Sequence, residues 1–151
     1  MQNKHKFEVR GVWNIVKSEN YLKTKKFPLR LATLTTQGFP LVTSLWYLYD
    51  SGFIWCAVQE DSVVSVNIIK NGRCGFEVGP NNPPYMGIRG HGNARLVKKR
   101  GREKLTKLIE RYLGDENEDL ANWLLSRADT ETAIMIEPLW FFTWDYRGRM
   151  N

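Results

Sequence analysis

Residues 41–49 read Leu-Val-Thr-Ser-Leu-Trp-Tyr-Leu-Tyr, with a turn signal on either side: Gln37-Gly38 before and Asp50-Ser51-Gly52 after. On an extended chain Val42, Ser44, Trp46 and Leu48 share one face, and Leu41, Thr43, Leu45, Tyr47 and Tyr49 share the other. Both faces are largely apolar, which predicts a strand covered on both sides, as in a barrel wall. The neighbouring segments 29–36 and 53–58 also read as strands. Short turns join all three, so the expectation is a β-meander.

Beyond residue 60 the local signals alternate. Asp61 and Ser62 are good N-caps and Asn71-Gly72 is a good stop, yet Val63, Val64, Val66, Ile68 and Ile69 between them are β-branched. The caps predict a short helix over 61–71. A strand follows over 73–78, then a Pro- and Asn-rich loop over 79–84. Residues 85–97 read as a long strand whose Gly87, Gly90 and Gly92 mark bulges or close backbone approach. Leu105, Leu108, Ile109 and Tyr112 form the stripe of a helix over 102–113, ended by Gly114. Leu120, Trp123, Leu124 and Ala128 predict another helix after an acidic turn. Strands over 132–136 and 139–146 close the chain, divided by Glu137-Pro138. Six or seven antiparallel strands with helices inserted predict a mainly β fold, a closed or split barrel with peripheral α-helices.

The excess of positive charge has one location. Of 22 Lys and Arg, eight lie in residues 1–30 against two Glu, whereas the rest of the chain balances. Val9, Val12, Trp13, Val16, Tyr21 and Leu22 fall near helical spacing, so residues 1–28 read as a basic amphipathic helical segment ahead of a barrel domain over 29–151. A nucleic-acid arm usually lacks such an apolar face, so nucleic acid is not the expected partner. No apolar run reaches bilayer-spanning length, and Met-Gln-Asn-Lys-His-Lys leads into no signal-peptide core, so a cytoplasmic location is expected. Cys56 and Cys74 alone build no disulfide scaffold, and no clustered ligands predict a metal. His5 lies in the tail. His91, between two glycines, reads as a surface or interface residue.

The stretch 31–47, Leu-Ala-Thr-Leu-Thr-Thr-Gln-Gly-Phe-Pro-Leu-Val-Thr-Ser-Leu-Trp-Tyr, resembles the FMN-binding split barrel of the pyridoxamine 5′-phosphate oxidase-like superfamily. The resemblance continues through Gly52-Phe53-Ile54-Trp55-Cys56, Asn67-Ile68-Ile69-Lys70-Asn71, the run 85–96, Ile136-Glu137-Pro138 and Phe142-Thr143-Trp144-Asp145-Tyr146. It implies a split-barrel homodimer with flavin in clefts between subunits, acting as an oxidoreductase on a small molecule. It implies a flavin ring along Thr43, Ser44, Leu45 and Trp46 and a ribityl chain by Cys56, Ala57 and Val58. Ser62, Ser65, Asn67, Arg89 and Trp144 complete the implied contacts. No residue has the look of an obligatory acid or base, so none is named catalytic.

The sequence departs from the family at the phosphate. Where flavin-binding members carry basic residues, this chain has Val64 and Val66. Each lost charge-assisted hydrogen bond is worth roughly 1.5–3 kcal/mol. Arg89, Lys70 or Arg73 can supply the charge. The alternatives are a deazaflavin (F420)-dependent reductase on the same barrel, or a cofactor-free dimer that binds a ligand or partner in a degenerate cleft.

Overall fold

Alternation decides which side chains of each strand face inward. In β2 (Leu29–Leu34) these are Leu29, Leu31 and Thr33. In β5 (Phe53–Gln59) they are Ile54, Cys56 and Val58, and in β6 (Arg73–Val78) Cys74, Phe76 and Val78. Apart from the polar Thr33, these residues form one core with Ile88, Ile134, Ile136 and Phe141. Burying a side chain such as Leu29 or Ile54 is worth about 1.5–3 kcal/mol. The structure, a computed structural model, describes residues 6–150. Lys4 and His5 of the basic tail lie outside the described residues.

The remaining elements are β1 (Glu8–Gly11), α1 (Ile15–Thr24), β3 (Pro40–Leu45), β4 (Leu48–Asp50) and α2 (Val63–Lys70), then β7 (Met86–Val97), α3 (Gly101–Tyr112), α4 (Glu118–Ser126), β8 (Glu131–Asp145) and α5 (Arg147–Met150). The strands run in the order β3-β2-β6-β7-β8-β5-β4, each neighbouring pair antiparallel, while β1 adds in parallel to β8. The edge strands β3 and β4 are joined only by Trp46 and Tyr47. Two extended residues span roughly 7 Å, so the two edges must come together and the sheet must curl. The result is the expected split barrel, with α1 and α2 contributing Tyr21, Leu22, Val64 and Ile68 to its core.

This link corrects the reading of 41–49 as one strand of a meander. The chain breaks at Trp46-Tyr47, and β3 and β4 pair with different partners. Nor is β3 covered on both sides, since Val42 is 64% exposed. Tyr47 turns fully inward, and its hydroxyl lies 2.8 Å from the carbonyls of Leu22 and Lys25 at the end of α1. Arg111 of α3 donates to the carbonyls of Leu22, Lys23 and Lys25. The last carbonyls of α1, which have no partners within the helix, are satisfied in this way.

Elsewhere the local signals compare with the fold element by element. Ser62 caps α2 by accepting from the Ser65 amide, so the caps prevail over the β-branched run. Gly114 takes φ 52° at the end of α3, as a C-terminal glycine should. The 131–145 segment is one strand, not two. Gly92 pairs with Pro138 and His91 with Trp140, leaving Leu139 as the extra residue of a bulge. Inward side chains accordingly fall at Ile134 and Ile136 before the bulge and at Phe141 and Thr143 after it. Proline is tolerated there because a bulge interrupts the ladder. Gly92 and Gly90 face this stretch so closely that a Cβ would collide with the carbonyl oxygens of Glu137 and Trp140. At the N-terminus, Val9 lies on β1 rather than on a helix, and Val12 and Val16 are exposed. The buried face of α1 is Ser18, Glu19, Tyr21 and Leu22. Trp123 of α4 is 54% exposed, not part of a packed stripe.

Tyr47→Phe removes the buried hydroxyl and leaves the α1 carbonyls with fewer donors. Its expected cost is about 1–2 kcal/mol, read as a lower urea midpoint at unchanged slope.

Candidate functional site

The residues singled out by the sequence fall into two groups in the folded chain. The first surrounds β3, β5 and the start of α2. Thr43 and Ser44 lie on β3, which pairs with β2 alone. An edge strand presents alternate backbone N–H and C=O groups to whatever approaches it. Ser44 is exposed and Thr43 half-buried, while Leu45 packs against the main core. Trp46 points the other way and stacks on Tyr112, with ring centroids 5.1 Å apart and planes at 5°. It shares a second apolar cluster with Ala57, Leu105, Ile109 and residues of α4.

Cys56 is fully buried, so its side chain belongs to the core and only its backbone runs beside the site. Burial pushes its thiol pKa upward, and that of Cys74 up to about 12, which keeps both thiols protonated and inert.

At the start of α2 the hydroxyls are already committed. Ser62 accepts from the Ser65 amide, and the buried Ser65 hydroxyl donates to the Gln59 carbonyl at 2.9 Å. Asn67 is buried and donates to the Thr33 hydroxyl at 3.1 Å. Val64 faces the core, whereas Val66 is partly exposed. What remains for an anion is the helix terminus itself, where the Val63 and Val64 amides precede the first intrahelical bond. Lys98 approaches this corner by pairing with Glu60.

The second group lies where β7 begins and β8 ends. Arg89 stands with its guanidinium 4.6 Å from the Phe142 ring centroid and 6.0 Å from that of Trp144. Arg89 and Trp144 line a cleft of about 350 Å³ with Glu77, Met86, Tyr85 and Tyr146. Arg89 also borders a shallower groove of about 660 Å³ across the outer sheet, reaching Val42 and His91. His91 lies edge-on to Trp140 at 4.8 Å. Tyr146 belongs, with Trp144, to the C-terminal run that the sequence singles out, whereas Tyr85 and Glu77 were not named as site residues. The one available signal was the Pro-rich loop 79–84, which ends at Tyr85.

Asp145 anchors the end of this cleft. Arg147 grips its carboxylate at 2.9 and 2.6 Å, and the Trp13 indole N–H reaches it at 3.4 Å. The Arg147 hydrogen bond leads in holding its carboxyl pKa at about 2, below the ordinary 3.8.

The expected resemblance is borne out at the level of the fold: the chain has the split-barrel architecture of pyridoxamine 5′-phosphate oxidase-like proteins. Three solved structures illustrate the likeness. The conserved hypothetical protein Rv2991 from Mycobacterium tuberculosis is 21% identical, with a TM-score of 0.76 over 94% of this chain and 91% of its own. An F420 reductase is 23% identical, with a TM-score of 0.67 over 86% and 98%. A Listeria innocua protein provisionally assigned as a pyridoxamine 5′-phosphate oxidase is 13% identical, with a TM-score of 0.61 over 85% and 94%. No protein-family profile and no curated protein matches the sequence. Among the described residues, no helix is long and apolar enough to cross a membrane.

The fold favours the ionised form of Asp145. Its contribution is therefore complete above the unfolded pKa near 4 and is lost as pH falls toward 2. Thermal unfolding followed from pH 5 to pH 2 is expected to show a shallower acid limb in Asp145→Asn than in the unaltered chain.

Proposed function

We propose that this chain binds a flavin-type cofactor, FMN or a deazaflavin, in a cleft completed by a second copy, and serves as an oxidoreductase for a small molecule. One observation supports the reading: the two groups of site residues offer complementary chemistry from different parts of one chain, with only a shallow groove from Val42 to Arg89 between them. The first half offers an edge-strand backbone and a helix terminus with free amides, while the cation that approaches it, Lys98, is already paired with Glu60. The second offers a cation among aromatic rings, Arg89 with Phe142 and Trp144. Each supplies what the other lacks. Apolar side chains exposed near both halves, Val42, Val63, Val66 and Ile69, suit a self-association surface.

In this assembly the Val63 and Val64 amides take the phosphate, and Arg89 of the second copy adds the charge that Val64 and Val66 do not provide. The edge of β3 receives the polar rim of the ring. The cofactor, when bound, supplies the hydride chemistry, while the chain binds, orients and shields it. The neighbouring F420 reductase fold keeps deazaflavin beside FMN as the second candidate, since both carry a phosphate.

Titration of the purified chain with FMN and with F420, alongside sedimentation, tests the reading. A dimer that binds one of them is expected. Arg89→Gln should weaken binding by about ten- to a hundredfold while the dimer persists. A dimer that binds neither overturns the cofactor assignment and leaves a cofactor-free binding protein. A strict monomer overturns the composite cleft.

A further inference from the structure

Away from both half-sites, the outer face of β4, β5, β8 and β7 carries a third cavity of about 380 Å³. The sheet register builds its floor: Trp55 pairs with Met135 and Met135 with Arg95, one row across three strands, with Leu48 packed beside it. Phe53 and Val97 add apolar wall, while Asp50, Ser51 and Arg100 form the polar rim. The size lies within the range of small-molecule pockets, which combine apolar lining with a few polar groups that fix orientation.

The charge around this cavity is lopsided. Arg100 lies over Trp55, its guanidinium carbon 4.6 Å from the ring centroid, and holds both oxygens of Glu103 at 3.0 and 2.9 Å. Lys104 has a side chain only 1% exposed, and its ammonium sits 4.2 Å from the same indole centroid. Lys104 does not line the cavity, but its buried charge stands behind it, 3.8 Å from Glu103. Lys107 also draws on Glu103, at 3.3 Å. The lining itself carries two cations, Arg95 and Arg100, against one carboxylate, Asp50, with the Lys104 ammonium behind Trp55. Arg95 is the less well paired of the two: its guanidinium donates to the Met135 thioether at 3.8 Å, a weak acceptor, and among the described residues it has no ion pair. A planar fork with free donors, at the rim of an apolar pocket that is short of negative charge, matches a carboxylate or phosphate oxygen pair.

We infer that this cavity is a binding site for a small organic anion, an apolar ring-sized body ending in a carboxylate or phosphate, with the anionic group on Arg95 and the body against Phe53, Val97 and Met135. The site is separate from the proposed cofactor cleft and uses none of its residues.

The test titrates the full chain with phenyl phosphate, benzoate, inorganic phosphate and benzyl alcohol. The readout is the indole N–H signal of Trp55, assigned with Trp55→Phe, together with calorimetry. Phenyl phosphate or benzoate is expected to shift that signal saturably, and the tighter of the two identifies the anionic group. Inorganic phosphate and benzyl alcohol, each lacking one half of the ligand, should bind at least tenfold more weakly. Arg95→Gln should weaken the organic anion about tenfold with unchanged melting temperature, because Arg95 is exposed and carries no ion pair. The inference is overturned if neither organic anion moves the Trp55 signal, if benzyl alcohol binds as well as they do, or if Arg95→Gln leaves the affinity intact.

Discussion

The shape of this protein follows from how little chain connects its two sheet edges. Seven strands in an open sheet would keep β3 and β4 far apart, yet Trp46 and Tyr47 alone bridge them. Closure is therefore imposed by connectivity, and the two residues at the seam are used on both sides. Tyr47 plugs the interior and ties down the end of α1. Trp46 faces outward and is held flat by Tyr112, which brings α3 against the seam. The Tyr47 amide meets the Tyr112 hydroxyl at 3.3 Å, so backbone and side chain secure the same joint. An apolar segment with turns at both ends thereby becomes the clasp of the barrel rather than a wall of it.

Much of the architecture was legible because local chemistry announces it. Ser62 and Asn71 bracket α2, Gly114 ends α3, and Gly38 and Gly52 turn hairpins with φ of 84° and 86°. The errors have a common cause: each needed knowledge of a distant partner. The 41–49 run looked continuous because its break depends on β5 and β2 claiming different halves. The last strand looked double because its alternation changes at Leu139, which makes sense only against Gly92. β1 went unseen because four residues of mixed character become a strand only when β8 offers an edge.

The candidate site was legible in part, and for similar reasons. Arg89 and Trp144 were both named as implied cofactor contacts, and the fold brings them close together on the neighbouring strands β7 and β8. Ser62, Ser65 and Asn67 are polar residues near a helix start, and their hydrogen bonds turn out to serve α2, β5 and β2. Val64 is explained by helix phase, since that position looks into the core and a charge there would be desolvated. The row Trp55, Met135 and Arg95 was invisible to any linear reading, because three strands separated in sequence must be aligned before it exists.

The single surplus residue in β8 has an outsized effect. It acts as a phase slip: upstream of it even-numbered side chains look into the barrel, and downstream odd-numbered ones do. Because the bulge absorbs it, Trp140, Phe142 and Trp144 keep their register with β7 and stay on the outside, beside Arg89 and His91. Loss of the Leu139 codon would close the bulge and leave both faces as they are, because Pro138, Trp140 and Phe141 would then alternate in step with Gly92, His91 and Gly90. A lineage could thus gain or lose the kink in one genetic step while the outer aromatic row keeps its place.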